Sequence, residues 1–517
     1  MKARALLGHT SRPPNEETSL ASPPSPSQTA FVSQLNFWAR DASNESAALL
    51  AASVLGLFSH LPDLGASAPV PLEELARRIG GTVRGTRSIV DPLVGLGFVH
   101  LEEGRGFSLP ARSAFLRSPG FSTRLRESFE GWPVSAKLPE AVRTGAPVEW
   151  EGGRRELLGL LRREFLEPRP QEESPTAADY YDRAARNFLR TQALVTAGEL
   201  GLLEALVKGP QPLAELARAT GSRPEALRVL LGVLDTMGFI SQEGESFGYS
   251  ELAGRSLDAS SLPYFQRALP ATMDYWEAFA HLDEAITQQK WRLDLRDPET
   301  ARRIYQNNAS RITGIFASHL RLGRKATELV SSMRPLAGAR VLDVGTGSGV
   351  WGAAFGLADP TVHVTYLDSE HVLEQVKPNI VKLKLDGRAR FWAGDCLGVD
   401  YGEASYDIIL LPQVIPALPP SELPGLFQKL ARALRPQGLL IVSGYLLTDR
   451  RDGPMDALYF ALRRYVSNEG DVLSMPDFRR LLEPVGLTAS RGFEMPIQQV
   501  VVAHRGDVPW PDAPSAR

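Results

Sequence analysis

The residues best placed for chemistry lie two thirds of the way along the chain. Asp343-Val-Gly345-Thr-Gly347-Ser-Gly349 follows an apolar run and precedes helix-like Val350 to Leu357. Glycines at this spacing let the backbone turn sharply and approach a ligand closely, and the next helix offers unpaired N–H groups at its N-terminus. A glycine-rich turn alone means little. Here acidic residues accompany it. Asp343 stands two residues before the first glycine, where a carboxylate suits an ammonium- or ribose-bearing ligand and repels a pyrophosphate. Asp368 ends a second apolar run nineteen residues after Gly349, where a carboxylate can accept both hydroxyls of a ribose. Gly394-Asp395 ends a third run, where a polar side chain can meet adenine.

These positions decide between two ligands. Gly347-Ser-Gly349-Val-Trp-Gly352 matches the dinucleotide pattern G-x-G-x-x-G, and Asp368 alone fits either ligand. Asp343 and Asp395 favour S-adenosylmethionine (SAM). The elements that must position them alternate between strand and helix, as a parallel sheet requires. Strands are predicted at Arg340–Val344, Val362–Leu367, Ala389–Ala393, Tyr406–Leu411 and Leu439–Ser443. Two more, Leu487–Glu494 and Gln498–Ala503, lie close together and predict an antiparallel hairpin at the sheet edge.

The rest of the chain repeats itself. Leu55-Gly-Leu-Phe, Pro71-Leu-Glu-Glu-Leu-Ala-Arg-Arg-Ile-Gly80 and Gly95-Leu-Gly-Phe-Val return as Leu200-Gly-Leu-Leu, Pro212-Leu-Ala-Glu-Leu-Ala-Arg-Ala-Thr-Gly221 and Thr236-Met-Gly-Phe-Ile. Trp132 and Leu138-Pro-Glu-Ala-Val return as Trp276 and Leu282-Asp-Glu-Ala-Ile, with the offset between 141 and 145 throughout. Apolar spacing in each copy predicts helix, turn, helix and a short two-stranded wing, a winged-helix module. The second helix of the later copy has only Arg223 and Arg228 as cations, offset by Glu225 and Asp235, so packing or dimerisation is expected rather than nucleic-acid binding. The domain reading is a disordered leader at 1–29, rich in Ser and Pro, and a first module at 30–143. A linker at 144–178, a second winged-helix or dimerisation module at 179–297 and connecting helices at 298–338 follow. The SAM-binding domain occupies 339–505 and a tail 506–517.

Composition sets the class. Of 517 residues, 43% are apolar and 23% charged, with a net charge of −3, so no overall basic field points to nucleic acid. No apolar stretch reaches the roughly 18 residues a membrane span needs. The single cysteine, Cys396, excludes an intrachain disulfide and a cysteine-built zinc site. No metal is expected, and a cytoplasmic location is.

Taken together, Asp-x-Gly-x-Gly-x-Gly, Asp368, Gly394-Asp395, Tyr406-Asp407-Ile-Ile and Leu434-Arg-Pro436-Gln-Gly438 resemble the class I SAM-dependent methyltransferases. With the Glu215-Leu-Ala-Arg module, residues 180–505 resemble the small-molecule O-methyltransferases of plant and bacterial natural-product pathways. The resemblance implies an α/β, Rossmann-like, seven-stranded domain with a terminal antiparallel hairpin, preceded here by two mainly α winged-helix-like modules. It implies that Asp343, Gly345, Gly347 and Gly349 line the methionine part of SAM, and that Asp368 holds the ribose. Gly394, Asp395 and Cys396 would then sit at the adenine, and Leu411, Pro412 and Gln413 beside the sulfonium. It also implies a homodimer; a second copy of the module raises the alternative of a monomer with an internal mimic of the dimer.

One departure matters. The family carries a histidine base shortly after the fourth strand, and Pro416 stands there. Proline has no titratable group. His281, Tyr275 and His319 are the substitutes the sequence offers, each with a packing role as the plainer reading. Met273, Trp276, Phe279, Met455, Tyr459 and Phe460 are candidates for the wall of a flat, apolar substrate pocket. Methyl transfer to a small natural-product-type acceptor, at oxygen and by proximity and orientation, is the leading expectation. The alternatives are a SAM-binding regulatory or partner protein, and a relative doing other chemistry with SAM.

Overall fold

The computed structural model describes residues 26–168, 172, 174–257, 269–304, 316–494 and 499–506. The leader before residue 26 and the tail after 506 lie outside them. Residues 26–29, expected in the leader, open the helix Pro26–Asn36 instead.

The two modules have the same order of elements. In the first, the π-turn Phe37–Asp41 runs into Ala42–Val54 (α1). Leu72–Arg78, Val83–Gly95 (α2) and a wing, His100–Glu102 with Gly106–Ser108, follow. Trp132–Ser135 and Leu138–Thr144 (α3) close it. The linker is ordered over a hairpin, Val148–Trp150 with Gly153–Arg155, and over Leu157–Leu161 (α4) continued by the π-turn Arg162–Leu166. In the second module the π-turn Asp182–Arg186 leads into Asn187–Glu199 (α5). Leu213–Thr220, Pro224–Thr236 (α6), a wing of Ile240–Glu243 and Ser246–Tyr249, Trp276–Ala280 and Leu282–Gln288 (α7) complete it. Local chemistry sets the ends. The Thr82 hydroxyl accepts the Gly85 N–H at the start of α2, Pro224 opens α6, and Gly145 closes α3 with φ +69°.

Beyond the helix Phe316–Met333, the sheet strands are Arg340–Val344 (β1), His363–Asp368 (β2), Ala389–Ala393 (β3), Tyr406–Pro412 (β4), Leu434–Gly444 (β5), Thr488–Glu494 (β6) and Gln499–His504 (β7). Their order is β3-β2-β1-β4-β5-β7-β6. The first five are parallel; β7 is antiparallel to both β5 and β6. The expected hairpin is therefore present. It joins the sheet through its second strand. Val350–Ala358 (α8), Glu370–Lys382 (α9) and Met455–Val466 (α10) complete the framework.

Central strand β4 is buried at every residue, as a strand covered on both faces must be. Each fully buried Ile or Leu there contributes about 1.5–3 kcal/mol. Separate apolar clusters cover the two faces of the sheet. The modules differ: a single cluster runs through both of them and takes in Leu462, Tyr465 and Val466 of α10. Asp407 accepts from Arg334, from the Arg340 N–H and from Arg435. It is a latch at the start of β4.

Candidate active site

The C-terminal ends of β1, β2 and β4 border a cavity of about 740 Å³. Gly345, Gly347 and Ser348 form its floor, with Asp368, Ser369 and His371 beside them. Pro412, Gln413 and Val414 come from the end of β4, Cys396 from beyond β3, and Leu295, Pro298 and Arg302 from the segment leaving the second module.

The glycine loop is held from behind. Asp343 is fully buried. Its Oδ2 accepts from the Thr346 hydroxyl at 2.8 Å and from the Gly352 N–H at 2.9 Å, tying β1 to α8. Burial pushes its pKa up to about 7. Gly345, Gly347 and Gly349 have φ of +62°, +54° and +75°, which glycine adopts without cost. Gly345 is doubly constrained, because a Cβ there would stand 2.5 Å from the Val414 side chain. Asp368 accepts the Gly347 N–H at 3.0 Å through one oxygen and the Ser369 N–H at 2.8 Å through the other. Burial raises its pKa as well. Both oxygens retain lone pairs for further donors.

At the end of β4, Gln413 has φ +58°, unusual for a residue with a side chain. Its N–H donates to Ser443 O at 2.7 Å, and its buried Oε1 has no hydrogen-bond partner in the protein. A second buried acceptor, Asp343 Oδ1, is also unpartnered. Gln413 lines the cavity and Asp343 lies behind the glycine loop, so Gln413 Oε1 is the open acceptor placed to meet a ligand bearing ammonium and hydroxyl donors, as SAM does.

The chain is similar over residues 341–438 to the methyltransferase domain family and over 183–256 to the O-methyltransferase dimerisation domain. It is 26% identical over 322 residues to the mitomycin biosynthesis 6-O-methyltransferase of Streptomyces lavendulae, covering 58% of this chain and 86% of that protein. It is 27% identical over 319 residues to acetylserotonin O-methyltransferase of Bos taurus, covering 58% and 90%. The chain thus combines a methyltransferase domain with an O-methyltransferase dimerisation domain, and these relatives are O-methyltransferases. Solved structures agree on the fold of this methyltransferase. An O-methyltransferase from Nostoc punctiforme matches with TM-score 0.55 at 22% identity, covering 64% of this chain and all (100%) of that one. Human N-acetylserotonin methyltransferase, solved with SAM, matches with TM-score 0.54 at 18% identity, covering 65% and 100%.

The methyltransferase brings some sequence-derived residues to the cavity and not others. Gly345, Gly347, Asp368, Cys396, Pro412 and Gln413 line it. Asp343, Gly349, Gly394, Asp395 and Leu411 are not on its wall. Gly349 packs on Val376, the Gly394 N–H donates to Asp368 O, Asp395 accepts the Leu397 N–H, and Leu411 is core. Ser348, Ser369 and His371, which are not among the residues expected from sequence, also line the cavity. His371 lies in the first turn of α9, three residues past Asp368, and that spacing was its only signal.

The residues expected at the pocket wall lie away from this cavity. None of Met273, Trp276, Phe279, Met455, Tyr459 and Phe460 lines the cavity. Trp276 lies 5.0 Å from Trp132, centroid to centroid, and Phe279 and Met273 pack in the module core. On α10, Tyr459 donates to Glu45 of α1, Phe460 packs on Tyr445, and Met455 faces Gly95 of α2. An apolar helical stripe fits a neighbouring module as well as a ligand, and here the first module took it. Two of the substitute bases, His281 and Tyr275, are not on the cavity wall. Half-buried His281 contacts Glu284 and Arg292, and the Tyr275 hydroxyl accepts from Arg464 at 2.8 Å. His319 lies in the helix Phe316–Met333, and its side chain falls outside the described residues. Pro416 sits in the short 3₁₀ turn Ile415–Ala417, where its carbonyl accepts the Gly470 N–H.

Proposed function

We propose that the cavity binds SAM and an acceptor together, and that the methyl group passes to an acceptor oxygen that is already ionised. Bound there, SAM would supply an electrophilic methyl group for transfer to the acceptor oxygen. In this reading Asp368 accepts the ribose hydroxyls. Gly345 and Gly347 admit the ligand against the backbone, and Gln413 orients groups at the end of β4. The chain supplies positioning and exclusion of water. The observation that carries the ionised acceptor is Pro416. It occupies the turn beside Val414, Ala417 and Leu418 of the cavity wall, with no proton acceptor on its side chain. A carboxylic acid or an acidic phenol of a natural-product scaffold meets the requirement, in line with relatives named for mitomycin, naphthoate and acetylserotonin methylation.

The test is transfer from labelled SAM to phenols of graded acidity and to aryl carboxylates, read as kcat against pH at saturating SAM. The midpoint should move with the acidity of each phenol and vanish for carboxylates. A midpoint common to every acceptor, and abolished by His371→Ala or His319→Ala, would show that the protein supplies a base and would sink the reading.

No nucleic acid enters this proposal. The second helix of each module packs within the protein, α2 on α10 and α7, and α6 on α3 and the linker, which supports a packing role for both. No helix among the described residues is long and apolar enough to cross a membrane. A cytoplasmic setting fits the lone, half-buried Cys396, whose thiol burial pushes up to about 12.

A further inference from the structure

The two modules meet face to face, and their contacts are reciprocal. The Ser46 hydroxyl donates to Arg183 O at 2.8 Å, and the Thr191 hydroxyl donates to Trp38 O at 2.7 Å. Positions 46 and 191 are 145 apart, as are 38 and 183. The Thr82 N–H donates to Ile286 O at 3.0 Å, and the Arg223 N–H to Val142 O at 3.3 Å. Thr82 and Arg223 precede α2 and α6; Val142 and Ile286 lie in α3 and α7. Each copy's closing helix therefore caps the other copy's second helix. Trp132 and Trp276, 144 apart in sequence, touch each other. Residue i meeting j while the equivalent of i meets the equivalent of j is the signature of a two-fold, self-complementary interface. It occurs here inside one chain.

The outer faces follow the same pattern. Helix α2 is covered by the segment entering and forming α10: Arg451 pairs with Asp91, and Met455 lies against Gly95. The position equivalent to Asp91 in α6 is Gly232, and Leu166 of the linker covers it. Glu45 of α1 meets Tyr459 of α10; at its equivalent in α5, Arg190 lies over the ring of linker Phe165 at 5.5 Å. The linker thus covers the second module where α10 covers the first.

We propose that the first module is a built-in dimer partner. It fills, within the chain, the surface through which the second module would pair with another copy, and Leu157–Leu166 stands in for the catalytic domain that the first copy lacks. Tethering favours this arrangement, since a partner on the same chain has an effective concentration of the order of mM. The proposal is independent of the acceptor's identity.

The cross-link test uses the full chain. On a Cys396→Ser background, Thr144→Cys and Arg223→Cys place two exposed thiols at the contact between modules, where a Cβ built on neighbouring Gly145 would stand 3.2 Å from the Arg223 Cβ. A short bis-maleimide should join them within one chain, giving a product of single-chain mass on a denaturing gel. Sedimentation velocity of the unsubstituted protein should show one species of 56.5 kDa. Cross-linked chain pairs would overturn the proposal, because the modules would then pair between chains. Absence of any cross-link would overturn it too, because the modules would not be adjacent. A larger species that keeps the intrachain product leaves the proposal standing, since its contact lies on another surface.

Discussion

Asp343 illustrates how a residue serves a ligand without lying on the wall of its cavity. It is buried, its Oδ2 holds Thr346 and Gly352, and the loop it ties carries Gly345 and Gly347 into the cavity. Its pKa stands at about 7 in the folded chain, against 3.8 when free of the fold. Between these values the folded state holds a proton that the unfolded state has released. The sign follows: this group's contribution to stability falls as pH rises from about 4 to about 7. Asp343→Asn should make that part of the melting-temperature profile of the cofactor-free protein less steep, leaving the slope due to Asp91, whose pKa burial raises to about 6, and to Glu45, Asp368, Asp283 and Asp456, whose pKa burial also raises. An unchanged slope would remove Asp343 from the account. Asp368 faces the cavity directly. If Asp368 accepts the ribose hydroxyls as proposed, Asp368→Ala loses two charge-assisted hydrogen bonds, each worth about 1.5 kcal/mol or more, and should weaken SAM binding about a hundredfold in calorimetry.

Several cations join the first module to the catalytic domain, among them Arg84, which donates to Glu469 O, Arg463, which donates to Arg40 O, and Arg451. Arg451, with φ +59°, reaches Asp91 of α2 at 3.2 Å, Asp471 at 3.0 Å and Asp477 at 3.1 Å. The carboxylates hold its pKa above the usual value even though burial acts against them. Removing one partner of a buried ion pair leaves charge uncompensated and costs about 3–5 kcal/mol. Arg451→Met should lower the urea unfolding free energy by about that amount. A loss below about 1 kcal/mol, the range of exposed ion pairs, would show that the hub is solvated and that apolar packing of α10 on α2 holds the junction.

At the scale of the whole molecule, both modules are one folding unit. Helix α1 is buried along Ala42–Ser53 and α5 along most of its length, and the apolar cluster between them is continuous. A helix buried on all sides has no stable existence apart from its neighbours. Hydrogen exchange should therefore show the amides of Ala42–Val54 and Asn187–Glu199 opening together, with equal free energies. A first module that exchanges independently of the second would contradict the shared core. The catalytic sheet has its own two clusters, so a separate opening there is compatible with this picture.

Much of the catalytic domain was legible because its signals are local. Strand ends, the glycine run, Asp343 and Asp368 are read from alternation and from residues whose backbone or charge has few alternative uses. The matching offsets of Trp132 and Trp276, or of Leu138 and Leu282, were likewise present in the sequence alone. Packing decided the rest. The apolar stripe of Met455, Tyr459 and Phe460 carries no label saying which surface will cover it, and the first module covers it in place of a ligand. Gln413 looks ordinary until the end of β4 forces it to positive φ with its Oε1 unpaired. Sequence by itself determined the fold class, the cofactor cradle and the existence of two matching segments, because each depends on periodicity or on chemistry within a few residues. Only tertiary structure decided that those segments face one another reciprocally and that the expected pocket wall is an interface, because both depend on contacts between residues more than a hundred positions apart.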